Sequence, residues 1–201
     1  MVNENGIVIG TQNHKKRREI RSILDGIPFK LFELEDFGDP PEVVEDGVTF
    51  EENAIKKARE LASFCNMRVM ADDSGLEVDA LNKQPGVLSS RYCGVDTGYE
   101  EKCRRLLEEL KGVAIDKRTA RFRCAIALAD PNSLIFVVEA SCEGFIAAEP
   151  HGVYGFGYDP IFYVPDYNQT FAELKPEVKN HMSHRALALK LFREKLMELV
   201  K

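Results

Sequence analysis

No stretch of this 201-residue chain approaches the ~18 consecutive apolar residues of a membrane-crossing helix, and its first residues lack the apolar run of a secretory leader. No membrane partner is expected, and the expected compartment is the cytoplasm. A disulfide frame is missing too: Cys65, Cys93, Cys103, Cys124 and Cys142 are odd in number and scattered, without a C-x-x-C pair. That is the pattern of free core thiols in a reducing compartment. The histidines show no H-E-x-x-H or similar spacing, which argues against zinc. Positive charge is outnumbered, 27 Lys and Arg against 33 Asp and Glu. A formal net charge of −6 argues against a dedicated nucleic-acid partner, which would need a basic surface to neutralise phosphates. Low-complexity tracts and internal repeats are also lacking, so neither disorder nor a solenoid is indicated.

What remains is an ordinary globular composition, 44% hydrophobic and 30% charged, on a length suited to one domain spanning residues 1–201. The apolar run Ile7-Val8-Ile9 reads as a buried strand that opens into a polar loop and a helix from about Lys15 to Leu24. Phe29 to Leu34 reads as a second strand, and the Pro- and Gly-bearing acidic segment from Glu35 to Val48 as a loop. Thr49 to Asn66 is the strongest helix signal. Thr49 with Glu52 three residues on is a capping-box signature, and Ile55, Ala58, Ala62 and Cys65 share a face. Arg68 to Ala71 reads as a strand with Asp72 and Asp73 at its carboxyl end, and a helix follows from Tyr99. Arg121–Ala129 and Leu134–Gly144, separated by Asp130-Pro131-Asn132-Ser133, predict an antiparallel hairpin. A last helix from Ser183 to about Val200 is expected to bury Leu187, Leu191, Phe192, Leu196 and Leu199. The fold class is α/β with a mixed sheet flanked by helices.

Four polar segments carry the chemistry. Thr11-Gln12-Asn13-His14-Lys15-Lys16, between a strand and a helix start, has the makings of an anion site, because the first helical amides lack internal partners and the helix dipole is positive there. Asn13 suits a helix cap, with Thr11 and Lys16 reaching a phosphate; the bland alternative is an ordinary cap followed by surface lysines. Glu52 either completes the capping box or, lying about 60° from Ile55 on the helical wheel, turns toward a cleft. Asp72-Asp73-Ser74-Gly75 suits a turn, yet two adjacent acids at the end of an apolar strand repel unless a cation is near. Mg²⁺ fits, since it takes one or two carboxylates together with water and phosphate oxygens. Gly155-Phe156-Gly157-Tyr158-Asp159-Pro160 is either hairpin packing or a loop in which Phe156 stacks on a flat base. Ser183-His184-Arg185 is either a helix start or a set of donors for a base edge.

Taken jointly and in this order, the segments resemble the inosine/xanthosine triphosphate pyrophosphatase family, across essentially the whole chain from Thr11 to Arg185. The resemblance implies that Thr11, Asn13 and Lys16 bind the triphosphate, that Glu52 of Phe50-Glu51-Glu52-Asn53-Ala54 is a metal ligand, and that Lys57 contacts phosphate. It implies that Asp73 is proton acceptor and metal ligand, that Asp72 is a metal neighbour, and that Ser74 touches substrate. Ser90-Arg91-Tyr92 also matches a family segment. Phe156, Gly157, Tyr158 and Asp159 match the base loop, and Lys179, His184 and Arg185 the purine-recognition end. Gln12 in place of a frequent glycine and the more basic His14-Lys15 depart from the pattern. The resemblance further implies an elongated fold of two lobes with a central cleft, a homodimer, and one or more Mg²⁺ ions.

The expected activity is Mg²⁺-dependent hydrolysis of ITP, dITP and XTP to the monophosphate and pyrophosphate, with Asp73 activating water for attack on the α-phosphorus. The alternatives are a pyrophosphatase for modified pyrimidine triphosphates, a non-catalytic nucleotide sensor, and an RNA-binding module built on Lys15 to Arg18.

Overall fold

The computed structural model describes residues 6–200; the first five residues and the last, which the expected single domain includes, lie outside the described residues. The chain divides into two compact units. One comprises the chain up to Asp73, Cys124–Ala140 and the chain from Arg185; the other comprises Ser74–Arg123 and Ser141–His184. Among the described residues, a mixed seven-stranded sheet flanked by helices makes this an α/β fold, with strand order 2-1-3-4-5-6-7.

In the first unit, β1 (Gly6–Ile9) pairs in parallel with β2 (Lys30–Glu33) on one side and with β3 (Arg68–Val78) on the other. Every residue of β1 is buried, as a parallel strand covered on both faces requires. On one face, Ile7, Ile9 and Met70 pack with Ile20 and Leu24 of the α1 segment (α1, His14–Ile23) and with Ala188, Leu189, Phe192 and Leu196 of the terminal helix. Val8, Val69 and Ala71, also buried, point to the other face by alternation. The helix α2 (Phe50–Cys65) starts where Thr49 Oγ1 accepts the Glu52 N–H at 3.1 Å and stops at Asn66, whose left-handed φ of 49° caps it. The reciprocal half of the capping box is shifted by one residue: the Glu52 carboxylate accepts from the Val48 N–H at 2.8 Å.

The second unit holds α3 (Tyr99–Glu109), the first part of β4 (Thr119–Ala129), the last part of β5 (Leu134–Ile146), β6 (Phe162–Val164), β7 (Gln169–Thr170) and α4 (Pro176–Met182). β5 to β7 are antiparallel, with Phe145 opposite Tyr163 and Tyr163 opposite Thr170. Leu76, Leu106, Phe122, Tyr158, Phe162 and Phe171 form much of this unit's core. In the first unit, the turn between β4 and β5 closes as expected. Asp130 Oδ1 accepts from the N–H groups of Asn132 and Ser133, both at 2.8 Å.

Three expectations change. β3 does not end at Ala71 but runs on to Val78, so the Asp pair lies within the strand, just beyond its last paired residue with β1, Met70. Ile55 is only partly buried, and the covered stripe of α2 instead includes Asn53, Ala54 and Leu61. On α5 (His184–Glu198) the buried stripe is Ala188, Leu189, Phe192 and Leu196, while Leu191 and, just beyond the helix, Leu199 are 41% and 49% exposed. The helix is apolar enough that periodicity alone does not choose between these rows.

Four of the five cysteines are buried and Cys93 is exposed. Burial pushes the thiols of Cys65 and Cys142 up to about 11, and those of Cys103 and Cys124 up to about 12. Because the thiolate is the reactive form, a disulfide reagent at pH 8 is expected to titrate one thiol rapidly in the native protein and all five in denaturant. Replacing Cys93 with Ser should remove the rapid phase.

Candidate active site

The site in the first unit is built where β1 ends. The Gly10 N–H makes a last rung to the Met70 carbonyl at 2.7 Å, and a Cβ on Gly10 would lie only 2.8 Å from that oxygen. The chain therefore needs glycine to leave the sheet there. Asn13 caps α1, its Oδ1 accepting from Lys15 N at 3.0 Å and Lys16 N at 3.2 Å, and Thr11 Oγ1 accepts from Asn13 N at 3.2 Å. Much of the adjoining basic run is internally paired: Arg17 binds Glu33 and Glu35, and Arg21 binds Glu33.

Asp72 and Asp73 do not crowd one another, because alternation along β3 sends them to opposite faces. Asp72 meets Lys16 of α1 at 2.9 Å and the Arg185 Nε of α5 at 3.3 Å, both on Oδ2. Arg185 Nη1 donates in turn to Glu19 at 2.6 Å. Burial alone would raise the Asp72 pKa, but the fields of Lys16, Arg185 and Lys57 outweigh it and hold the carboxyl well below the usual range. Its other oxygen, Oδ1, is buried and has no hydrogen-bond partner among the described residues.

Asp73, on the other face, accepts from Asn53 Nδ2 at 2.9 Å. Burial raises its pKa; Lys57 opposes this and Glu45 adds to it, and the net shift is upward. Lys57 bonds Glu45 at 2.5 Å. Its own pKa is lowered by burial, but Asp72, Glu45 and Asp73 reverse the shift and keep it charged. A pocket of about 220 Å³ is lined by Gly10, Thr11, Gln12, Glu45 and Lys57, with Leu34, Pro40, Pro41 and Leu61 among its apolar walls.

Glu52 is exposed at the start of α2, where its carboxylate accepts from the Val48 N–H. Glu45 is the further carboxylate whose field reaches Asp73. The sequence offers little sign of this, since Glu45 sits in an irregular acidic loop with no periodicity to place it. Among the described residues no three His, Cys, Asp or Glu side chains are grouped so as to hold a metal by themselves. The chemistry of the donors nevertheless suits Mg²⁺: the carboxylates of Asp73 and Glu45, near enough for Glu45 to raise the Asp73 pKa, are hard oxygen ligands of the kind that ion takes beside water and phosphate.

In the second unit the residues expected to form a base loop separate by role. Tyr158 is core: it is buried, its hydroxyl donates to the Ser89 carbonyl at 3.0 Å, and its ring stands edge-on to Tyr99. Asp159 is buried, and its Oδ2 accepts from the Phe156 N–H at 2.7 Å and from Lys179 Nζ at 2.6 Å. Gly155, at φ 75°, lies against that same oxygen with no room for a Cβ, and Gly157 has φ 71°. Phe156 remains half-buried, with the Lys179 ammonium 5.0 Å from its ring centre. His184 is buried and stacks on Phe122, ring centres 4.7 Å apart. Ser74 is half-buried. Arg185, grouped with His184 on sequence, is instead committed to Asp72 and Glu19 in the first unit. Its neighbourhood on α5 is set by helical phase, which sends adjacent residues about 100° apart.

Removing the Arg185 cation leaves a buried carboxylate half-compensated. Arg185→Met is expected to lose about 3–5 kcal/mol at pH 7. Asp72 titrates in the folded chain below its unfolded value, so its contribution is complete above the ordinary aspartate pKa of about 3.9 and fades as pH falls toward the folded value. In urea titrations the gap between wild type and variant should therefore narrow below pH 4; a gap independent of pH would contradict the pairing.

Residues 7–195 match the model of the Ham1 family. The dITP/XTP pyrophosphatase of Geobacter sulfurreducens is 50% identical over 94% of this chain and 96% of the relative, and that of Bacillus subtilis is 47% identical over 95% and 96%. Among solved structures, a HAM1 protein from Coxiella burnetii superposes with a TM-score of 0.90 at 42% identity, covering 98% of this chain and all of that one. The Staphylococcus aureus Ham1 protein gives 0.88 at 38%, with the same coverage. The family expected from the motifs is thus borne out, and the chain belongs to the Ham1 family.

Proposed function

We propose that this protein hydrolyses dITP, ITP and XTP to the nucleoside monophosphate and pyrophosphate. The observation that carries the reading is the pair on β3: an ionised Asp72 with one buried unpartnered oxygen, and an Asp73 whose pKa is raised, beside the Lys57–Glu45 pair. Close likeness over nearly the full chain to curated dITP/XTP pyrophosphatases supports the same reading.

Asp73 accepts a proton from the attacking water, a role favoured by a carboxyl pKa moved toward neutrality. Water oxygen attacks the α-phosphorus, the α–β bridging oxygen departs with pyrophosphate, and the monophosphate retains the new oxygen. Lys57, Lys16 and Thr11, with the cap at Asn13, bind the triphosphate tail, and the lysines offset the charge that develops on the phosphate oxygens. Asp73 would hold Mg²⁺, with Glu45 rather than Glu52 as the nearer supporting carboxylate, while Asp72, on the opposite face of β3, adds its negative charge as a neighbour; when bound, the ion supplies Lewis-acid neutralisation of phosphate charge. Ser74 contacts the substrate.

In the second unit, Phe156 stacks on the base within the loop that Gly157, Tyr158 and Asp159 shape. Lys179 and His184 donate to a 6-oxo group. An adenine places an amino donor there and leaves buried donors unmatched, a penalty large enough for strong discrimination. Arg185 serves chiefly to hold Asp72. The reading extends to a single functional domain, to a homodimer on the ground of family resemblance, and to the cytoplasm, where five unpaired thiols would stay reduced. No helix among the described residues is long and apolar enough to cross a membrane.

Pyrophosphate release across a panel of purine and pyrimidine triphosphates, with and without Mg²⁺, tests this. dITP and XTP are expected to exceed ATP by about 100-fold or more, and Asp73→Asn to lower turnover by about 1000-fold while melting as a folded protein. Equal rates on ATP and ITP, or full activity in Asp73→Asn, would overturn the reading; a preference for a pyrimidine triphosphate would redirect it to that substrate class.

A further inference from the structure

Asn53 has no part in the chemistry described so far, yet it is fully buried on α2. A buried amide side chain must place both its donor and its acceptor end. Here the backbone dictates which end goes where. The Gly47 N–H, which can only donate, points at Oδ1 from 2.8 Å, so the NH₂ end faces Asp73 and donates to its Oδ2 at 2.9 Å. A flipped amide would set donor against donor at Gly47 and acceptor against carboxylate at Asp73. The fit at Gly47 is close: a Cβ there would stand 2.7 Å from Asn53 Oδ1 and 2.8 Å from Glu52 Cβ. Two residues before Gly47 is Glu45, bonded to Lys57, which lies one helical turn beyond Asn53 on α2. One side chain therefore joins the acidic loop, the helix and the Asp73 carboxylate.

We propose that Asn53 is a positioning residue for hydrolysis. By tying Asp73 Oδ2 while gripping Gly47, it fixes the rotation of the carboxylate and the approach of Glu45 and Lys57 to it. The inference rests on the hydrolase reading above. It adds that the geometry of Asp73 is enforced from the loop that precedes α2, through an amide whose two ends are not interchangeable.

The test uses the full chain. Asn53→Asp keeps an acceptor for the Gly47 N–H but replaces the donor with a charge facing Asp73; Asn53→Ala removes both. For dITP, kcat is expected to fall about 100-fold in each, with KM within about 3-fold of wild type. In an Asp73→Asn background, adding Asn53→Ala is expected to change the residual rate by less than about 2-fold, because both groups act through one carboxylate. Mn²⁺ binding, followed by electron paramagnetic resonance without nucleotide, is expected to weaken about 10-fold in Asn53→Ala. Near wild-type kcat in Asn53→Asp, or an equal loss from Asn53→Ala with and without Asp73, would overturn the proposal. Should Asn53→Ala fail to fold, Asn53→Asp decides by the same kcat criterion. If wild type releases no pyrophosphate from any triphosphate, the hydrolase reading fails separately, and unchanged Mn²⁺ affinity in Asn53→Ala then overturns the positioning role on its own.

Discussion

Much of the first unit depends on the neutralisation of one buried carboxylate. Asp72 sits in the core beside Met70, where a lone negative charge would be strongly disfavoured, and it stays ionised because two cations meet the same oxygen. Neither cation is adjacent in sequence. Lys16 arrives on α1 and Arg185 on α5, and both helices are set in place by the shared apolar cluster of Ile7, Ile9, Ile20, Leu189 and Phe192. Side-chain packing of no chemical interest thus determines whether the acid keeps its charge. At an effective dielectric of about 20, a pair at 4 Å is worth roughly 4 kcal/mol, so small displacements of either helix would be felt.

The second unit repeats the device with other parts. Asp159 is buried and holds both a cation, Lys179, and a loop amide, Phe156 N–H. The carboxylate disciplines a glycine-rich loop that would otherwise have many conformations, and it keeps the Lys179 ammonium beside an aromatic face. In each unit, then, an acid that looks like a substrate or metal group on sequence is first an organiser of cations.

Segments with strong local signals were legible beforehand: the Asn13 cap, the Thr49 start, the Asp130 turn and the mixed α/β class all follow from short-range rules. What eluded the sequence was set by distant partners. Asp72 and Asp73 read as a repelling pair because their neighbours in the chain are visible and their neighbours in space are not. Glu52 matched the metal ligand that the family resemblance implies, and the helical wheel let it face a cleft, yet the Val48 N–H claims it, while Glu45 comes to Asp73 from a loop without pattern. Tyr158 and Arg185 read as ligand contacts because motifs carry no record of burial; the structure makes one a core ring and the other an internal counter-ion.

The alternation of Asp72 and Asp73 has an evolutionary corollary. Deleting or inserting a single residue within β3 between Met70, the last residue paired with β1, and Asp72 would swap the two carboxylates between faces, stranding Lys16 and Arg185 on one side and the Asn53 amide on the other. Such a length change would abolish both environments at a stroke, whereas loops elsewhere tolerate it. The stretch Met70-Ala71-Asp72 is therefore one whose length descendants of this chain must keep.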